Sequence, residues 1–421
     1  MLRIPTEFRI GYKKIISYMF GIFSFICCFD NAFLSYKIPF YSKGLFLLRL
    51  LTICAYAVYM IIKMHRPSKV TIMMLLMYTI MIFSTFLHGG DITSFGVIIS
   101  SSLVIVLTLD IASRNESMLD DVMNSWKIII CILIAIDIAT EILYPGGLYH
   151  DRLYSINWFL GYKTARMTYI IPLLFISIYQ SYKKEQRFRK SIFVIMAVSI
   201  VDVALSQASG ATISLIAIFV LSIVILNLYR RKLRHVRRFL AFILDHRIFI
   251  TAYMAITFIV VIVNYTPLMS KVADIIGKDV TFTGRTFIWK ACMEQIISSP
   301  LIGKGYWTAL QYESITMKLG VYGGTNAHNA ILTILMDGGM LALAVYLMIY
   351  LLSMRSTRER SQFDMLAVTI IYVTWILGVS SSAFVFSPYV FMMYWLFQYK
   401  KDRKFSIFEL LNCLLFRKET L

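Results

Sequence analysis

His328 sits between two asparagines in Asn326-Ala327-His328-Asn329, and Arg285 directly follows Gly284 in Thr283-Gly284-Arg285. Histidine is the side chain best suited to move a proton near neutral pH. Arginine grips phosphate oxygens through a planar fork, and the glycine before it lets a ligand approach the backbone closely. A Pro-x-x-Gly-x-Gly turn (Pro300, Gly303, Gly305) lies between them. One base and one cation in a single polar stretch fit a transfer reaction with an anionic leaving group. Each residue also has a plainer reading, His328 as an interfacial histidine that only hydrogen-bonds and Arg285 as a solvated loop cation.

Other candidates are more dispersed. Lys163 and Arg166 fall in Phe159-Leu160-Gly161-Tyr162-Lys163-Thr164-Ala165-Arg166, with Arg152 a little upstream. They are open between further contacts to an anion and simple snorkelling to headgroups. Arg49, Asp137, Glu141 and Asp202 fall inside apolar runs, where charge is costly and marks function or pairing. Asp137 and Glu141 are four apart and share a helix face, either lining a polar cavity or neutralised by partners in the bundle. The small polar link Ser206–Thr212 reads first as close helix packing. No Walker A sequence, glycine-rich dinucleotide pattern or Asp-x-Asp pair is present, so the expectation is no cofactor and no metal. The six cysteines have neither metal-ligand nor paired spacing, which predicts no disulfide framework.

The elements that must position these residues are membrane helices. The chain is 59% hydrophobic and 15% charged, against about 25% charged in soluble domains, with mean hydropathy +0.72. Repeated apolar runs predict an all-α, polytopic integral membrane bundle of about twelve spans, at roughly 15–34, 44–63, 70–88, 93–113, 125–144, 166–182, 190–206, 211–229, 247–265, 337–354, 364–382 and 384–399. The charge of +19 sits in short clusters between the runs, which is membrane topology and not nucleic-acid binding. With the basic N-terminus inside, the clusters at 63–69, 183–190, 230–238, 355–360 and 400–404 all fall on the cytoplasmic side. Both termini are then cytoplasmic, and the first run reads as a retained helix. The division is an N-terminal bundle over 1–265, an outer-face catalytic loop module over 266–336, further membrane helices over 337–399, and a basic tail over 400–421. Within the module the spacing predicts a helix over 288–297, ended by Pro300. The next membrane helix is expected to begin at Asn326 as its cap, placing His328 at a helix N-terminus that would lower its pKa.

Three motifs carry a resemblance: T-G-R-T-F-I-W-K (Thr283–Lys290), S-P-L-I-G-K-G-Y (Ser299–Tyr306) and N-A-H-N-A-I-L-T-I-L-M-D-G-G (Asn326–Gly339). In order and content the chain resembles the O-antigen ligase and polymerase family of Wzy-type polymerases and WaaL-type ligases. The resemblance implies metal-independent, inverting glycosyl transfer on the outer face of the cell inner membrane, from a glycan carried on undecaprenyl diphosphate. It implies His328 as the base that activates the acceptor hydroxyl and Arg285 as a holder of the diphosphate. Gly284, Asn326 and Asn329 are taken with them as binding residues, Arg166 is the nearest match to a mid-chain family arginine, and Lys163 and Arg152 remain anion contacts read from the residues alone. Ser209-Gly210 departs from the family, where many members have an arginine after the serine. The Phe159–Lys163 and Ser209–Thr212 stretches are more like repeat-unit polymerases than ligases, with a ligase that transfers glycan to lipid A core as the alternative. A chain-length regulator and a flippase are the implied partners. A non-enzymatic lipid or glycan transporter, the third reading, would show internal pseudo-symmetry.

Overall fold

The computed structural model describes residues 6–151, 156–185, 188–231, 234–262, 285–317, 325–354, 361–379 and 388–399. Among them the regular structure is helical, with only two isolated β-bridges, Tyr149–Asn157 and Trp158–Gly161. The first half contains α1 (Thr6–Cys28), α2 (Ala32–Lys37), α3 (Tyr41–Ile62), α4 (Lys69–Leu87), α5 (Ile92–Ala112) and α6 (Glu116–Leu143). The middle contains α7 (Met167–Glu185), α8 (Lys190–Leu205), α9 (Ser209–Arg230), α10 (Arg234–Ile243) and α11 (His246–Ile262). Then come α12 (Arg285–Ser298), α13 (Ala309–Met317), α14 (Ala330–Met354), α15 (Gln362–Gly378) and α16 (Pro388–Tyr399).

Among the described residues, each of the expected apolar runs overlaps a helix, the run at 15–34 crossing the break between α1 and α2. By length and hydropathy, five helices among the described residues qualify as membrane spans: α3, α4, α5, α9 up to Leu228, and α14. α15 and most of α11 are apolar but shorter. A helical membrane protein is therefore established, and twelve spans is a finer count than these lengths carry. Helix starts differ from expectation because caps, not hydropathy, set them. Ser68, Asp91 and Asn115 each accept a backbone N–H of the first turn of α4, α5 and α6, satisfying donors that a helix start leaves orphaned.

The bundle core lies where α14 packs on α4, α1 on α6, and α3 and α16 on α5. Large apolar side chains such as Leu51, Ile61, Phe83, Phe86, Ile213 and Phe258 remain exposed around it. A soluble protein rarely presents so much apolar surface, whereas lipid covers it without cost.

The helix that positions the site is broken. Gly339 interrupts α14 with φ 63 and ψ −162, and the Pro300–Tyr306 turn plugs the break. Met340 N–H donates to Pro300 O (2.9 Å), Leu341 N–H to Leu301 O (3.1 Å), and Lys304 N–H to Met336 O (2.6 Å). Gly303 (φ 73) and Gly305 (φ 77) allow the turn. A Cβ on Gly303 would come within 2.7 Å of Gly339 N and Leu335 O, and one on Gly305 within 2.7 Å of Thr85 N. The glycines of that motif are spent on close backbone approach.

Candidate active site

Among the described residues α12 starts at Arg285, three residues ahead of the expected 288, and ends at Ser298. Its Ile288, Trp289, Cys292 and Ile296 form one buried face at helical spacing, packed with Tyr312, Ala327, Leu332 and Met336. Trp289 Nε1 donates to Ala327 O at 3.0 Å. This bond ties the first turn of α12 to the residue before His328, which explains why two motifs some forty residues apart converge.

The strand of chain before α14 is a tight turn. Asn326 Oδ1 accepts the His328 N–H at 2.7 Å, and His328 adopts φ 48, a left-handed conformation uncommon for a residue with a side chain. The expected cap at Asn326 is corrected by one helical turn. Asn329 is the residue that caps α14, with Oδ1 accepting Leu332 N–H at 3.1 Å and Nδ2 donating to Val379 O at 3.1 Å. Asn329 is wholly buried, so its amide is committed to holding α14 against the end of α15. The turn presents His328 just ahead of the helix.

His328 and Arg285 are brought together. His328 is half-buried, and its pKa is pushed down to about 4, first by burial and then by the Arg285 charge. The sequence-based expectation of a neutral imidazole therefore holds in direction, but its main cause is burial and not the helix N-terminus. Arg285 is itself half-buried. Burial draws its guanidinium below the ordinary value, and the nearby Tyr162 hydroxyl pulls the other way. Tyr162 is the residue the sequence reading missed. It lies in the singled-out Phe159–Lys163 stretch, next to the lysine chosen instead.

That stretch is held from below. Asp137 Oδ1 accepts Leu160 N–H at 2.7 Å, Thr140 Oγ1 accepts Phe159 N–H at 3.3 Å, and Asn31 Nδ2 donates to Phe159 O at 2.9 Å. Gly161 turns at φ 105. Lys163 follows, half-buried, its ammonium 5.5 Å from the Tyr162 ring centre. Arg166 does not join the site. It is fully buried, with NH2 2.9 Å from Asp137 Oδ2, NH1 bonded to Glu141 Oε1, and Nε 4.0 Å from Asp202 Oδ2. The Trp158 ring covers its other face at 5.3 Å. A guanidinium enclosed this way cannot reach a diphosphate without dismantling the cluster. Of the two readings of Asp137 and Glu141, the structure supports neutralisation by a bundle partner.

The carboxylate oxygens of Asp137, Glu141 and Asp202 lie within 4.8 Å of one another, a donor set suited to a hard cation. The Arg166 guanidinium occupies those same oxygens, so the fit to a metal is poor. Gly284 and Arg152 lie outside the described residues.

Residues 192–347 match the family model described as O-antigen ligase. The match spans Arg285, the turn that plugs α14, and His328, and leaves Lys163 and Arg166 outside it. No curated protein matches the chain.

Proposed function

We propose, from the match of residues 192–347 to the family model described as O-antigen ligase, that this protein is a membrane polysaccharide polymerase. It joins oligosaccharide repeat units carried on undecaprenyl diphosphate, at the outer face of the inner membrane, within a bundle of about twelve spans whose termini are both cytoplasmic. The observation that carries the reading is a neutral, half-buried His328 within electrostatic reach of a cationic Arg285.

In this mechanism the neutral imidazole takes the proton of the acceptor hydroxyl. The hydroxyl oxygen forms a bond to the anomeric carbon of the donor from the face opposite the diphosphate. The bond from that carbon to the diphosphate oxygen breaks, inverting the centre, and the electron pair leaves with the lipid diphosphate. Arg285 stabilises the charge that develops there, and a preorganised cation in a water-poor site is worth more than one in bulk water. An anion bound at Arg285 also removes the second cause of the low His328 pKa, so donor binding makes the base stronger. Tyr162, whose charge is felt at Arg285, and Lys163 beside its ring supply the remaining contacts to the anion.

The family description favours a second reading, transfer of finished glycan to an outer acceptor such as lipid A core. One experiment separates them. Purified protein is given lipid-linked repeat units, and products longer than one repeat are expected from the wild type. His328→Ala is expected to lower chain growth roughly 10²–10⁴-fold while remaining folded in the membrane. Ordinary ladders from the variant would remove His328 from the role of base. A wild type that builds no ladder but moves a single block to lipid A core would establish the ligase instead.

A further inference from the structure

At the opposite end of α4 and α5 from His328, the protein has a second concavity that the glycosyl-transfer site does not use. It is a cavity of about 290 Å³ between the α3–α4 turn, the end of α5 and the end of α16, close to the lower bound of about 300 Å³ for small-ligand pockets. We propose that it is a binding site for a phosphate group, presented either by an anionic lipid headgroup of that leaflet or by a free phosphate compound.

Four observations support it. First, Arg66 and Lys69 line the cavity, Lys69 as the opening residue of α4. Second, the walls are built and not incidental. A left-handed turn at Met64 (φ 49) sets His65 over the end of α5, where His65 Nε2 donates to Asp110 O at 2.7 Å. Third, the acid on the floor is already engaged. Asp110 Oδ2 accepts from Ser68 N–H (3.1 Å) and the Thr71 hydroxyl (2.7 Å), and Oδ1 accepts from Trp395 Nε1 (2.6 Å). Its oxygens hold the cavity shape. Fourth, Trp395 and Tyr399 stack at 4.9 Å along one wall, and such aromatics mark headgroup depth in membrane proteins. Arg114, whose NH2 donates to Lys63 O at 2.8 Å, adds positive charge at the same end. Basic pockets between membrane helices are a recurrent way to hold a headgroup phosphate.

The test uses the full chain in phosphatidylcholine nanodiscs, titrated with phosphatidylglycerol in one arm and inorganic phosphate in the other. Bound lipid is read by native mass spectrometry and stabilisation by thermal unfolding. Phosphatidylglycerol adducts that survive delipidation are the expected result. R66Q/K69Q is expected to weaken them about tenfold or more. Gln398→Trp, which fills the cavity and keeps every charge, should do the same. Stabilisation by inorganic phosphate with no lipid adduct, lost in both variants, upholds the phosphate site and assigns it a soluble ligand. Undiminished lipid adducts in Gln398→Trp overturn the proposal, because binding is then diffuse surface attraction. Absence of a response to both probes overturns it as well. None of these readouts depends on glycosyl transfer.

Discussion

His328 and Arg285 oppose each other before any donor arrives. Burial holds the imidazole neutral, and the cation adds to it, so the His328 pKa is pushed down to about 4 in the free protein against 6.5 for an exposed histidine. Because the folded pKa lies below the unfolded one, the unfolded state binds more protons between those values, and this group costs stability as pH falls from 6.5 towards 4. The acid limb of kcat/KM reports the free enzyme and is expected near 4, with the limb of kcat displaced upward once a diphosphate neutralises Arg285. In Arg285→Lys the charge persists, so the kcat/KM limb should barely move. The rate should still fall about a hundredfold, since an ammonium lacks the two-pronged donor. A variant with near wild-type transfer would reduce Arg285 to a solvated residue. At this scale the sequence was informative about identity and weak about geometry. His328 and Arg285 stood out by type and neighbours, but whether Asn326 or Asn329 caps the helix depends on a turn of one residue at positive φ. Arg166 was misplaced for a different reason, since no spacing rule tells an arginine at a helix end whether α6 and α8 will bring it three carboxylates.

The breaking of α14 is the event that joins the elements of the site. A continuous helix from Ala330 would keep its hydrogen bonds to itself and leave the Pro300–Tyr306 turn without partners. The kink at Gly339 frees the N–H groups of Met340 and Leu341 and the carbonyl of Met336, and the turn takes all three. Gly303 is the tightest point. Gly303→Ala puts a methyl against backbone atoms at a positive φ, so the turn must withdraw, at a cost of roughly 1–3 kcal/mol. The expected outcome is earlier thermal unfolding and faster protease cleavage between α12 and α14, with α4 still protected. Unchanged cleavage would mean that the splice is not what holds α12. Pro300 and two glycines signalled a turn here, yet not its partner. A helix break at Gly339 inside an otherwise uniform apolar run has no hydropathy signature.

At the scale of the whole molecule, and among the described residues, Arg66, Lys69 and Arg114 gather at one end of the bundle, and three carboxylates are buried together under the Phe159–Lys163 stretch. Among the described residues, Arg166 is the cation paired with Asp137, Glu141 and Asp202, all at most a few percent exposed. Removing one partner from a buried ion pair costs about 3–5 kcal/mol. Arg166→Gln is therefore expected to melt far below the wild type, with partial recovery when Asp137→Asn is added. Normal melting of the single variant with lost activity would instead return Arg166 to the site. The apolar pattern made the helices legible, because lipid demands long apolar faces wherever a helix crosses. The same pattern cannot count spans among helices as short as α8, α15 and α16, and there the charge distribution is the better guide. α14 runs antiparallel to α4, since Gly338 lies against Met81 while Gly305 meets Thr85 near the far end of α4. The His328 end and the Arg66–Lys69 end are thus on opposite faces of the bundle, and the basic stretches at 230–238 and 355–360 follow helices that end away from His328. If the positive-inside bias sets the orientation, Lys290→Cys, exposed on α12, should react with a membrane-impermeant thiol reagent added outside intact cells. Arg238→Cys, exposed on α10, should react only after the membrane is opened. Both are made in a background lacking the native cysteines. The reverse labelling would place His328 and Arg285 in the cytoplasm, where an exported donor cannot reach them, and would end the case for an outer-face transferase.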